Sequence, residues 1–395
     1  MAAVSTNVLG AFNPIFYAQE ALIQLEKALG MADRVYMGYN EERKAFRKGD
    51  TINIRKPSTF TAESAPTSAA QSVVTQTVAM TLDSWQEVRF AVSDQQLAYT
   101  QDRIIEDHIR PAAYALATKI DTDLCALYKD VPTIQSLDST ATVLNLVAAR
   151  EKMFANDVDM NVGNLHMMFN GAVEADYLAI EAFSQSQGAG NIGVETQRNG
   201  YLGRRYGYEI FANQNVPSHT VGTLAHSASP SSAQLDAAVL LYATSLSFDE
   251  GASGTLTGVM EAGDAFTVTT DGVAYGYTCT AQATASTNEI TVSISPPAQV
   301  AHADGDTVTF VTPAATTTTE SMAFHRDAFA LVMVELPDLA NELGARVVSV
   351  RDPRTGLAIR SRLYYDGDNS EVNVALDVLY GVKTLNPLMA VRMEQ

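Results

Sequence analysis

Residues 93–130, SDQQLAYTQDRIIEDHIRPAAYALATKIDTDLCALYKD, are the longest periodic stretch of the chain. Leu97, Ile104, Ile105, Ile109, Leu116, Ile120, Leu124 and Leu127 recur at steps dominated by three, four and seven. That period belongs to an amphipathic helix, with one apolar stripe and one charged face. Ser93 with Gln96 three residues later makes a capping box, and Asp94 adds negative charge where the helix dipole favours it. Pro111 lacks a backbone donor and is expected to kink or divide the rod. The stretch predicts a helical spine around which the other segments are placed.

Upstream, residues 18–37 predict a short amphipathic helix through Leu22, Leu25, Leu29 and Val35, ending near Gly38. So short an arm cannot bury its apolar face alone. TINIRKPSTF (51–60) alternates Ile52 and Ile54 as a strand does. TAESAPTSAAQS (61–72) is small and polar, contains Pro66, and has the composition of a loop tip. VVTQTVAMTLDSWQEVRFAV (73–92) returns as one long strand rich in β-branched and aromatic residues. The pair predicts a long hairpin, a structure only marginally stable by itself. Its apolar side chains need a partner, and none lies beside it in sequence.

Downstream, residues 139–154 predict a helix, LHMMFN (165–170) a buried strand, and residues 171–183 another helix. SQSQGAGNIG (184–193) reads as a flexible loop, and YLGRRYGYEIFANQNV (201–216) as a turn and a strand. This alternation predicts a mixed α/β domain. The composition then changes. No Lys or Arg occurs between Arg205 and Arg326, while residues 218–322 hold ten Asp and Glu, about half of the net charge of −19. Short alternating runs separated by Asp271-Gly272 and Asp304-Gly305 turns predict an all-β module inserted into a loop of the parent domain. ESMAFHRDAFALVMVEL (320–336) then resumes as a strand. LAIRSRLYYD and EVNVALDVLYGV follow, joined by a turn at Gly367-Asp368-Asn369, and MAVRM makes a last strand.

At 395 residues the chain exceeds what one hydrophobic core usually serves, so two or three domains are expected. With 46% hydrophobic and 18% charged residues it has the composition of a folded protein. Its 45 acidic residues against 26 basic ones gain nothing from counterion release, which argues against direct nucleic-acid binding. Cys125 and Cys279 are too few and too far apart for a disulfide framework or a cysteine zinc site, and Cys125 reads as a small core residue. The N-terminus has no charged n-region and no uninterrupted apolar core, and no stretch is long enough to span a membrane, so folding in a reducing cytoplasm is expected.

The six histidines, His108, His166, His219, His226, His302 and His325, form no metal-binding spacing. The acidic turns at Asp304–Asp306 and Asp366–Asn369 read as hairpin turns and not as calcium loops. SQSQGAGNIG lacks the Lys of a phosphate loop, no GxSxG occurs, and FHRDAF (324–329) matches the kinase catalytic loop in letters only. No catalytic, cofactor-binding or metal site is expected, and the chain is read as a non-enzyme.

The order of these parts, carried by GDTINIRKPSTFTA, SDQQLA, AGDAFTVTTDGVAYG, AFHRDAFALV and LDVLYGVKTLNP, resembles the major capsid proteins of tailed bacteriophages. More narrowly it is similar to the coat-protein branch of Salmonella phage P-twenty-two. The resemblance implies an α+β, HK-ninety-seven-like fold. Its parts would be an N-terminal arm (1–46), an extended hairpin loop (47–92), a peripheral-domain spine helix (93–138) and an axial domain in two pieces (139–217 and 323–355). An inserted β-barrel-like domain (218–322) and C-terminal strands (356–395) complete it. It further implies a self-assembling subunit of pentamers and hexamers in an icosahedral shell that encloses double-stranded DNA without reading its sequence. A scaffolding protein, a portal and a decoration protein are implied as partners, no membrane is involved, and assembly takes place in the bacterial cytoplasm. The assembly interface is expected at Arg55, Lys56, Phe60, Glu63, Trp85 and Arg89 of the extended loop and at Glu106 and Arg110 of the spine. The alternatives are an encapsulin-type nanocompartment shell and, from a different class, a β-rich surface or carbohydrate-binding protein.

Overall fold

A computed structural model describes residues 14–38, 51–56, 76–93, 108–137, 140–160, 163–185, 190–226, 233–250, 255–338, 346–352 and 356–395. The first elements are helix α1 (Pro14–Ala28), strands β1 (Thr51–Lys56), β2 (Gln76–Thr81) and β3 (Ser84–Ser93), and helix α2 (Arg110–Cys125). Next come β4 (Ile134–Ser136), α3 (Val143–Ala155), β5 (Leu165–Phe169), α4 (Gly171–Ala179), α5 (Asn191–Asn199), β6 (Tyr208–Ala212) and β7 (Ser218–Thr220). Six strands follow: β8 (Gln234–Leu235), β9 (Ser245–Asp249), β10 (Ala265–Thr270), β11 (Val273–Cys279), β12 (Glu289–Ser295) and β13 (Thr307–Phe310). The chain closes through β14 (Thr317–His325), β15 (Phe329–Val334), β16 (Arg346–Arg351), β17 (Ala358–Asp366), β18 (Glu371–Thr384) and β19 (Ala390–Glu394). These elements fall into two compact units, one of Met1–Leu29, Tyr36–Ile120 and Ala330–Lys383, the other of Gly30–Val35, Asp121–Phe329 and Thr384–Gln395.

The first unit is built on a five-stranded sheet of order β15–β18–β17–β16, with β3 also paired to β18. β3 runs antiparallel to β18 over ten positions, from Ser93↔Glu371 to Ser84↔Tyr380. α1 packs on β16 and β17 and buries Tyr17, Ala18, Ala21, Leu22 and Leu25. β1 and β2 form a separate two-stranded ribbon, in register from Thr51↔Thr81 to Lys56↔Gln76.

The sequence reading of 73–92 as one strand is therefore corrected. The strand breaks at Leu82–Asp83, where the Asp83 carboxylate accepts hydrogen bonds from the Thr81 and Ser84 hydroxyls. Gly381 passes so close to Thr81 that a Cβ there would lie 2.2 Å from the Thr81 carbonyl. Half of the expected hairpin thus has a partner inside its own chain, and only β1–β2 stands as a ribbon. The arm helix also differs: it runs 14–28 rather than 18–37, and residues 32–34 form a separate 3-10 turn.

Helix α2 keeps the predicted stripe, with Ile109, Leu116, Ile120 and Leu124 buried. Pro111 is its second residue, directly after a π-type turn at 108–109, and residues 101–107 lie outside the described residues. The tail of the stretch tightens into a 3-10 turn, Ala126–Asp130. The capping box at Ser93–Gln96, together with Leu97, Ile104 and Ile105, falls at least partly outside the described residues, as does the loop 61–72.

The second unit holds a mixed sheet of order β4–β19–β14–β5–β6, extended by a short strand at Arg204–Arg205, with β7 paired to β14. β5 is buried at all five positions, as a strand covered on both faces must be. Its core joins Leu146, Ala149 and Met153 of α3 to Leu165, Met167, Phe169, Val173, Tyr177 and Tyr208. Between β7 and β14 the chain forms a closed barrel in the order β8–β9–β12–β11–β10–β13, with β13 returning to β8. β12 alternates strictly: Ile290, Val292 and Ile294 point inward and Glu289, Thr291 and Ser293 outward. With Phe248, Phe266, Val268, Tyr277 and Val308 they form a core separate from that of the sheet.

Three further local readings change. The strand expected over 320–336 is two strands in different sheets, divided by a 3-10 turn at Arg326–Ala328 that the His325 ring caps by accepting from the Asp327 N–H. The helix expected over 171–183 ends at Ala179 and is followed by a single turn, Glu181–Ser184. The Gly-rich segment read as a loop runs into helix α5 from Asn191, a helix the sequence reading missed.

Candidate assembly surfaces

In the first unit, one sheet face carries an ordered set of polar side chains. Register places Glu87, Asp377 and Arg360 in one row and Arg89, Ala375 and Arg362 in the next. Asp377 is fully buried and is held by Arg360 through Nε at 3.0 Å and Nη2 at 2.5 Å. The Trp85 indole N–H donates to the same carboxylate at 3.1 Å, the Arg360 guanidinium lies 6.0 Å from its ring centre, and the ring is 57% exposed. Arg362 pairs with Glu87 at 2.5 Å, and Arg89 donates to the Tyr364 hydroxyl at 3.0 Å. An exposed tryptophan on a rigid charged lattice has the make-up of a contact surface.

Two of the eight expected interface residues, Trp85 and Arg89, thus sit on this one face. Arg55 lies exposed on β1, and the Lys56 backbone pairs with Gln76 at the end of the ribbon. Arg110 is bound within its own chain, its Nε 3.3 Å from Glu20 on α1. Phe60, Glu63 and Glu106 lie outside the described residues.

In the second unit several large apolar side chains are exposed; the sequence reading placed Leu144, Val147 and Ala148 on one face of a helix but did not expect that face to be open. Leu144, Val147 and Phe154 form a stripe on α3 opposite Leu146, Ala149 and Met153, with Leu144 73% and Phe154 72% exposed. Tyr201 and Ile192 flank Gly203, and both are exposed. At one end of the barrel Leu240, Leu241 and Tyr242 are exposed together with Val273. The Val239–His302 bridge and the Thr270–His302 hydrogen bond bring these two loops to the same end. Large apolar side chains gathered on one face or at one end of an element are candidates for burial against a partner.

Among the described residues, several groups that could carry chemistry hold structural contacts. Both cysteines are buried and unpaired. Burial pushes the Cys125 thiol far up and the Cys279 thiol to about 11, so neither is a thiolate nucleophile at neutral pH. His219 bonds Asp264, and His302 bonds Thr270 and Tyr277. Asp306 accepts from the Ala303 N–H in a turn before β13 that does not join paired strands, so the hairpin expected there is corrected. Asp366 accepts from the Asp368 N–H and the Asn369 amide in the turn that joins the paired strands β17 and β18, as expected. Among the described residues no group of three or more His, Cys, Asp or Glu could hold a metal ion, and no helix is long and apolar enough to cross a membrane.

A mixed sheet with an inserted barrel, a separate two-stranded ribbon and exposed apolar side chains are the parts from which a shell subunit can be built. Residues 75–291 match the family described as phage capsid protein, and the chain belongs to that family. It is a structural protein, a tailed-phage major capsid protein, whose copies build the shell of a virion. Among solved structures it is similar to that of Mycobacterium phage Che8, at 14% identity and TM-score 0.51, covering 92% of this chain and 90% of that one. It is also similar to the mature capsid of bacteriophage PhiM1 (11% identity, TM-score 0.47, 88% and 82% covered). A virus-like particle from Pyrococcus furiosus is a further neighbour (9% identity, TM-score 0.42, 96% and 98% covered). The first of these carries the fold. No curated protein matches the chain.

Proposed function

We propose that the chain forms the pentamers and hexamers of an icosahedral head that encloses double-stranded DNA, without catalytic activity of its own. The observation that carries this reading is the match of residues 75–291 to the phage capsid family; beside it stands the β1–β2 ribbon, a two-stranded sheet of its own with Ile54 and Met80 buried and Arg55 exposed. Arg55 on that ribbon and Trp85 and Arg89 beside it would meet a neighbouring subunit, as the N-terminal arm would, and the apolar faces of α3 and the barrel would meet others. Many weak, symmetric contacts of this kind stabilise a closed shell collectively while each remains correctable. The acidic chain would line the shell without gripping packaged DNA. A scaffolding protein and a portal would direct closure in the bacterial cytoplasm, and a decoration protein could cover the outer face. The narrower kinship with the P-twenty-two branch, and the division of the chain into the seven segments given above, belong to this proposal.

The test is negative-stain microscopy of the protein expressed alone and together with a neighbouring scaffold gene. Shells, tubes or spirals tens of nanometres across are the expected outcome. Compact monomers under both conditions would overturn the reading.

A further inference from the structure

The barrel leaves the sheet through two adjacent strands. β7 leads in and β14 leads out, paired from Thr220↔Thr317 to Ser218↔Thr319. Val221 and Ala315 continue the pairing for one more step, through Val221 N–H to the Thr316 carbonyl and Ala315 N–H to the Val221 carbonyl. A two-stranded stem of this length does not by itself fix the direction of the body it carries.

At the root of the stem lies a buried polar cluster. Arg392 of β19 is 1% exposed in the middle of a strand whose every residue is buried. Its Nε donates to Glu320 Oε2 at 3.0 Å, its Nη2 pairs with Glu394 Oε1 at 2.9 Å, and its Nη1 donates to the Gly263 carbonyl at 2.6 Å. Glu320 belongs to β14, Glu394 to β19, and Gly263 to the loop that opens barrel strand β10. One guanidinium therefore ties the sheet to the barrel.

Further ties run parallel to it, one of them the Ser295 hydroxyl of β12 donating to the Asp130 carbonyl at 3.2 Å. Tyr128 bonds His219 Nδ1 at 3.1 Å, and His219 Nε2 meets Asp264 Oδ1 at 2.8 Å, so the chain of contacts passes from the turn after α2 through β7 into the barrel. Asp264 then holds the loop shut by accepting from the Gly222 and Glu261 N–H groups. On the exit side the Thr312 hydroxyl donates to Glu394 Oε2 at 2.8 Å. Gly263 has φ +109°, and a Cβ there would press on Lys129, His219 and Tyr128 at 3.1 to 3.4 Å, so the approach of its carbonyl to Arg392 needs glycine.

Buried ion pairs of this kind add little net stability compared with apolar side chains of the same volume, whereas each satisfied partner demands one geometry. We infer that the C-terminal strand β19 is a latch, with Arg392 as its bolt, that fixes the orientation of the inserted barrel on the sheet. The barrel has its own core and its own closed hydrogen-bonded ring, so its closure does not depend on the latch.

The full-length chain carrying Arg392→Met, Glu320→Gln and Glu394→Gln together removes the buried charges without leaving one unpaired. Hydrogen–deuterium exchange is the readout. Amides of β10, β11 and β12 are expected to keep wild-type protection, while those of Val221, Ala315 and Glu320 in the stem exchange at least tenfold faster. Unchanged stem protection would overturn the latch, and so would loss of barrel protection in step with the stem. Should the triple variant fail to fold, Thr312→Val removes a single tie. Faster exchange at Ala315 with an unchanged barrel is then expected, and no change at either place overturns the inference.

Discussion

His166 is a base placed where it cannot easily be charged. It lies on β5 with its side chain 8% exposed, against the Phe324 ring and 3.7 Å from Glu209, its register partner on β6. Burial pushes its pKa from the ordinary 6.5 down to about 4; Glu209 opposes this, and Arg34, itself paired with Glu209 at 3.3 Å, adds to it. Because the folded-state value is depressed, the unfolded chain takes up the proton first as the solution is acidified. Stability from the neutral ring is then complete above pH 6.5 and is lost progressively as the pH falls towards 4, by roughly 3 kcal/mol. His166→Gln is expected to flatten this part of the profile, read as urea midpoints at pH 7, 5.5 and 4.5; parallel profiles for the two proteins would rule the assignment out. None of this was legible in the sequence, where His166 is one of six scattered histidines. Its environment comes from a parallel pairing with a residue 43 positions away, and neither spacing nor composition encodes such a partner. Arg392 escaped for the same reason: MAVRM reads as a final strand, and only the sheet order makes it central.

Elements were easier to read when their pattern was local. The spine stripe, the buried LHMMF strand, the turns within the insert and the hairpin turn at 367–369 all follow from periodicity or turn chemistry within a few residues. Boundaries failed where a distant backbone decides them, as at Leu82–Asp83, whose break faces Gly381 about three hundred residues on. Helix α3 is the informative middle case. Its pattern predicted a helix with Leu144, Val147 and Ala148 on one apolar face, but Leu144 and Val147 are exposed and Leu146, Ala149 and Met153 face the core instead. Side chains as exposed as Leu144 and Phe154 contribute little to monomer stability, so Leu144→Ser with Phe154→Ser should leave the urea midpoint of the monomer nearly unchanged, within about 0.5 kcal/mol. If that face is an interface, each lost burial costs association about 1.5–3 kcal/mol, enough to raise the critical assembly concentration tenfold or more. Sedimentation and light scattering distinguish the outcomes: wild-type assembly from the double variant would remove α3 from the interface.

For the whole molecule the governing quantity is the net charge of −19, about half of it in a segment without a single Lys or Arg. Every copy therefore repels every other at long range, and the repulsion reaches as far as screening permits, about 30 Å at 0.01 M salt and about 10 Å at 0.1 M. Contacts between copies must overcome this, and the two kinds of surface respond to salt in opposite ways. Apolar faces such as α3 and the Leu240–Tyr242 end of the barrel keep their attraction as salt rises while the repulsion falls. Ion pairs between copies, of the sort Arg55 or Arg89 could make, would be screened together with it. The exposed groups favour the first regime, because the best-ordered charges of the sheet face, Arg360 with Asp377 and Arg362 with Glu87, are already spent within the chain. Raising sodium chloride from about 20 mM to about 300 mM should accordingly lower the critical concentration for assembly several-fold, followed by light scattering at fixed pH. A rise in that concentration with salt would mean that charge pairs hold the shell, and would move the search for the interface from α3 and the barrel to the ribbon.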